Sequence, residues 1–173
     1  MPSDAAFWAG ELQKLAVGPV KLMEVCGTHT MSIAKAGIRS LLPEGAELVP
    51  AEIPGASGCI VGAWTVETEE GTLYAFHARP YGYANEVMDF YYVLDESGAI
   101  TAFRATELIL HSEYFSDYTL DEAAYKEGFL GLSDETFTGE QALINGATMT
   151  SNAVETATDD VFAAFRLLTE NRG

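Results

Sequence analysis

Apolar and polar positions divide the chain into a helical beginning, a run of strands and a helical end. From Ala5 to Leu15 apolar residues recur at helical spacing and predict a short helix. A second helix is expected from about Thr30 to Leu42, with Thr28 or Thr30 as its cap and Pro43 as its stop. From Glu47 the texture changes. LVPAEI reads as a weak strand containing a proline. CIVGAWTVE alternates and is bounded by Gly58 and the acidic turn Glu69-Glu70-Gly71; TLYAFHARPYGY follows directly, so the two read as a hairpin. EVMDFYYVLD and AITAFRATELIL make a second hairpin across Asp95-Glu96-Ser97-Gly98, with glycine where a positive φ is wanted. Strands joined by such short turns predict an antiparallel meander, not a βαβ sheet. The fold class is therefore α+β, with N-terminal and C-terminal helices packed on the meander. Between 112 and 145 the periodicity dissolves, apart from one helix near Asp121 to Glu127. The last helix, AVETATDDVFAAFRLLTE, is expected to be capped by Ser151 or Asn152. Val154, Val161, Phe162, Phe165 and Leu168 mark its buried stripe.

Length and charge narrow this picture. A chain of 173 residues supports one domain with a proper core and is short for two. We read 1–43 as an N-terminal helical segment and 44–173 as the main domain, together one compact unit. Against 26 Asp and Glu stand 9 Lys and Arg, a net charge of −17. Phosphate backbones need clustered cations, so nucleic acid is excluded as a partner, and an anionic membrane surface is disfavoured. The acidic balance fits a solvated face or a cationic partner. No apolar run approaches the ~20 residues of a membrane span, and MPSDAAFWAGEL lacks the basic start and apolar middle of a signal peptide. Cys26 and Cys59 form no CxxC pair and no metal spacing, which leaves either one disulfide or two independent thiols. His29, His77 and His111 are scattered, and no serine sits in a nucleophile elbow, so no triad is expected.

The segment NGATMTSNAV carries the most chemistry. Gly146 and Ala147 are small enough for a ligand to approach the backbone. Hydroxyls follow at Thr148, Thr150 and Ser151, and the N–H groups opening the next helix attract anions, so a phosphate suits the place. Taken alone, the same residues equally describe an ordinary N-cap.

The surrounding sequence resembles the FMN-binding domain of the Rnf and Nqr type over about residues 41 to 170. Tyr81-Gly82-Tyr83-Ala84 matches that family's GYG-like turn, Asp95 to Ile100 its acidic turn and strand start, His111-Ser112-Glu113-Tyr114 its HxET element, and Gly146-Ala147-Thr148 its GAT motif. The resemblance implies a flavoprotein electron carrier rather than an enzyme with its own substrate. It implies FMN as cofactor, a redox partner protein and a place outside the cytoplasm. The implied FMN-binding residues are Asn145, Gly146, Ala147, Thr148, Thr150 and Ser151 at the phosphate, with Tyr83, His111, Glu113 and Leu143 near the ring. Two positions depart from the family: Ala142 and Asn145 stand where it has Asp and Ser or Thr. The phosphate is then either esterified to Thr148 or held beside it.

A second resemblance is shorter. Residues Lys21 to Pro43, KLMEVCGTHTMSIAKAGIRSLLP, are similar to the N-terminal part of the hydrogenase-maturation scaffold family HypD, which carries MEVCGTHTH, a helix and LLP. In that family the cysteine helps hold an iron bearing cyanide and carbonyl ligands. The resemblance implies a metal role for Cys26, with His29 and Thr30 nearby. Met31 replaces the family's second histidine, and only Ser57-Gly58-Cys59-Ile60 lies near the place of its GPGCPVC element. From the residues alone, Cys26 is a thiol ahead of a helix start or a small buried residue. Two alternatives to the flavoprotein thus stand: a metal-binding scaffold centred on Cys26, and an interaction module without cofactor.

Overall fold

The computed structural model describes residues 37–53, 58–83, 87–105, 120 and 122–170. Contacts divide the chain into two units, Met1–Ala36 and Gly37–Gly173, and the described residues all belong to the second. The helix expected from Ala5 to Leu15 lies outside the described residues. Of the one expected over 30–42, a helical turn at 37–39 is described.

Five strands build one antiparallel sheet in simple sequence order: β1 (Val49–Pro50), β2 (Ile60–Thr68), β3 (Gly71–Ala78), β4 (Phe90–Leu94) and β5 (Ile100–Ala105). This is the meander expected from the short turns. The β2–β3 turn is closed by Thr68, whose hydroxyl donates to the Gly71 carbonyl at 2.7 Å and accepts the Glu70 N–H at 3.2 Å. In the β4–β5 turn Asp95 Oδ1 accepts the N–H groups of Ser97 and Ala99 at 2.8 and 3.1 Å, and Gly98 adopts φ +82° as expected.

The sheet is buried on both sides. Every residue of β4 is buried, although FYYVL shows no alternation of apolar and polar side chains. One face contains the register row Ala63, Phe76, Tyr92 and Phe103; the other contains Gly62, His77, Tyr91 and Arg104. Side chains alternate along a strand, so neighbours such as Tyr91 and Tyr92 serve different faces.

The first face is the main core. Across it packs the long helix α2 (Thr148–Glu170), preceded by a short helix α1 (Ala123–Glu127) and a 3₁₀ turn (Glu140–Ala142). Val154, Ala157, Val161 and Phe162 of α2 are buried at helical spacing, with Leu168 behind them. Phe165 is only half-buried; its ring meets Tyr74 edge-on at 5.0 Å. Phe103 stacks on Phe129 at 4.5 Å, which ties α1's far end to β5. Burying each such side chain contributes about 1.5–3 kcal/mol. Among the described residues no helix is long and apolar enough to cross a membrane.

Candidate functional site

The helix α2 begins at Thr148, three residues before the expected cap. The reason is Ser151. Its hydroxyl accepts the Ile144 N–H at 2.8 Å and donates to the Ala147 carbonyl at 2.9 Å, so it serves the buried underside of the first turn. Thr150 is buried too. Gly146 holds φ +80°, which explains glycine there without a ligand. Asn145 and Thr148 are exposed, and Ala147 is fully buried. The hydroxyls read as one phosphate cradle therefore split between solvent and core. Leu143 and Tyr83, expected beside a flavin ring, are exposed by 65% and 42%. His111, Glu113 and Cys26 lie outside the described residues.

A cleft of about 520 Å³ opens beside this helix start, lined by Cys59, Arg79, Tyr81, Met149, Asn152 and Asp160 among others. Asp160, a little over three turns into α2 and not singled out in the sequence, ties the cleft together. Its Oδ2 accepts the Cys59 N–H at 2.7 Å, and the Cys59 carbonyl accepts the Arg79 N–H at 2.8 Å. Gly58 sits at φ +58°, and a Cβ there would fall 2.1 Å from Asp160 Oδ2. Only glycine permits both the turn and the carboxylate beneath it.

This arrangement quiets Cys59. The residue is a free thiol. Burial, then the hydrogen bond and charge of Asp160, push the thiol from 9.0 up to about 12. At neutral pH it stays protonated, and a thiol is a poor nucleophile and a poor metal ligand. Among the described residues no group of three or more His, Cys, Asp or Glu is arranged to hold a metal ion.

Residues 5–74 match a family model described as the hydrogenase formation hypA family, HypD. The resemblance is to hydrogenase-formation proteins. The chain is 38% identical over 60 residues to the hydrogenase maturation factor HypD of Escherichia coli, covering 35% of this chain and 16% of that protein. It is likewise 38% identical over 60 residues to a putative hydrogenase expression/formation protein of Methanocaldococcus jannaschii, covering 34% of this chain and 16% of that one. The chain thus spans about a sixth of the length of these curated relatives. The match runs past Pro43, through β1 and β2 to Tyr74 in β3.

These matches overturn the flavoprotein reading. Both relatives are named for hydrogenase maturation or formation, so electron transfer through FMN, flavinylation at Thr148 and FMN as cofactor are withdrawn. The inward-turned hydroxyls of Thr150 and Ser151 agree with that correction. Nor do the matches favour a metal scaffold centred on Cys26 or a cofactor-free module over a role in hydrogenase maturation.

Proposed function

We propose that this chain acts in hydrogenase maturation and that the element Cys26-Gly27-Thr28-His29-Thr30 carries its chemistry. One observation supports the reading above others: the match over residues 5–74 contains the whole segment KLMEVCGTHTMSIAKAGIRSLLP. The residue order alone leads us to expect a helix from about Thr30, and a thiol ahead of a helix start is favoured as thiolate by the N–H groups there. Cys59 is the contrasting case, held protonated by burial and Asp160. The described residues assemble no metal-ligand set, so we route no step through a metal. The partners of this chain are then other components of hydrogenase assembly.

The test is genetic and needs a host that makes a hydrogenase. Deleting the gene for this chain is expected to lower hydrogenase activity at least tenfold. The intact chain and its Cys59→Ala variant restore it, and Cys26→Ser does not. Full hydrogenase activity in the deletion strain would overturn the proposal. Full restoration by Cys26→Ser would remove Cys26 from it.

A further inference from the structure

Among the described residues eight large apolar side chains are exposed, and they are not spread evenly. Val61, Tyr81 and Met149, exposed by 58%, 70% and 47%, all line the cleft of about 520 Å³ beside α2. A fourth, Val87, is paired with Tyr81 across an isolated antiparallel bridge. Single exposed apolar residues are ordinary on a protein surface. A group of them around a concavity marks a place where something docks.

The cleft is built as a groove. Met149, Asn152, Ala153, Thr156 and Asp160 line one wall, at positions that fall on one stripe of α2. That stripe runs about 16 Å, since each helical residue adds about 1.5 Å. Val61, Pro80 and Tyr81 stand on the other wall. Ile60 pairs with Ala78 and Gly62 with His77, so the register passes over Val61. A bulge of this kind frees one residue from the ladder and re-aims its side chain. The charges of the groove are not alike. Arg79 is matched by Asp89, whose Oδ1 lies 3.0 Å from its Nε. Asp160 is half-buried, and among the described residues no cation is paired with it. Asn152 and Thr156, both exposed, can donate to and accept from a peptide backbone.

We propose that this groove docks an extended segment of another protein, which seats an apolar side chain among Val61, Tyr81 and Met149 and places a lysine or arginine at Asp160. At about 3.3 Å per residue, about five extended residues fill its length. A second copy of this chain suits the groove less. Each copy carries a net charge of −17, so copies repel, while a cationic segment is drawn in. The docking surface stands independently of the hydrogenase-maturation reading.

The experiment selects displayed random peptides of about ten residues on the immobilised full chain and measures Kd for the enriched ones by fluorescence anisotropy. The expected sequences carry an apolar residue with Lys or Arg within about five positions of it. Tyr81→Ser and Met149→Ser, both at exposed sites, are each expected to weaken Kd about tenfold. Asp160→Asn keeps an oxygen for the Cys59 N–H and removes the charge. It is expected to weaken Kd about fivefold and to flatten its dependence on salt. Leu130→Ser, at an exposed apolar residue outside the cleft, leaves Kd unchanged. No enrichment over the bare support would overturn the proposal. So would enriched peptides without basic residues, or a Kd indifferent to Tyr81→Ser and Met149→Ser. A chain that pairs with itself, and becomes monomeric in Tyr81→Ser, would assign the groove to a second copy and overturn it too.

Discussion

Tyr91 and Tyr92 are neighbours on β4, both fully buried, and their hydroxyls meet opposite circumstances. Tyr92 faces α2. Its hydroxyl shares a 3.0 Å hydrogen bond with Thr158 Oγ1, which in turn donates to the Val154 carbonyl at 2.8 Å. Tyr91 faces the other way, beside two arginines and a histidine, and its hydroxyl is unpaired. The same residue type on consecutive positions thus makes a hydrogen bond on one side and leaves a buried hydroxyl unpaired on the other. A fold under selection for stability alone would favour phenylalanine at 91, because an unpaired buried hydroxyl costs about 1–3 kcal/mol. The face under α2 thus pairs its buried tyrosine hydroxyl, and the opposite face leaves its own unpaired.

Mutations can break that comparison, and the largest effect belongs to the α2 face. Phe162→Ala, at a residue only 1% exposed, is expected to cost about 3–5 kcal/mol in chemical denaturation. A loss under 1 kcal/mol would show that α2 is not the principal cover of the sheet. Next comes the clamp at the cleft. Gly58→Ala must place a side chain at φ +58° and displace the Asp160 carboxylate from the Cys59 N–H. The expected cost is more than about 2 kcal/mol, from left-handed strain and a lost charge-assisted bond. An unchanged midpoint would mean the clamp does not form.

The tyrosine pair gives the sharpest contrast at smaller size. Tyr92→Phe removes a made hydrogen bond and is expected to lower stability by about 1 kcal/mol. Tyr91→Phe is expected to leave stability unchanged or raise it by up to about 1 kcal/mol. Equal losses in the two variants would erase the distinction between the faces.

The smallest effect concerns Asp159. Burial raises its carboxyl above the ordinary value, helped by the charges of Glu155, Asp160 and Asp134. Because the folded state holds this proton more tightly than the unfolded one, ionisation costs stability above the raised pKa. That cost disappears as pH falls through it. Asp159→Asn is therefore expected to gain about 0.2–0.5 kcal/mol at neutral pH and nothing in acid, the size of an exposed like-charge pair four residues apart. A gain that persists in acid would point to a cause other than charge.

Much of the fold was legible along the chain. Glu69-Glu70-Gly71 and Asp95 to Gly98 announced their turns, and the alternation in CIVGAWTVE announced β2, because turn chemistry and strand period are local properties. The start of α2 was misplaced because Ser151, a good cap in isolation, is claimed by the Ile144 N–H seven residues away. The candidate site was less legible. Nothing in the sequence singled out Asp160; the fold brings Cys59, 101 residues distant, onto its carboxylate. The small residues and hydroxyls of NGATMTS suggested phosphate, and the same residues serve a helix start whose hydroxyls turn partly inward. The segment around Cys26 was recognisable by its order of residues alone, and the match over residues 5–74 extended that likeness into the sheet.

By itself the sequence determined the order of elements, the antiparallel meander, the acidic balance and the likeness at Lys21 to Pro43. These follow from near neighbours, residue type and period. Only the tertiary structure decided which face each side chain serves and what it meets there. A run such as FYYVL carries no alternation to read, so register and packing alone separate the satisfied hydroxyl of Tyr92 from the unpaired one of Tyr91.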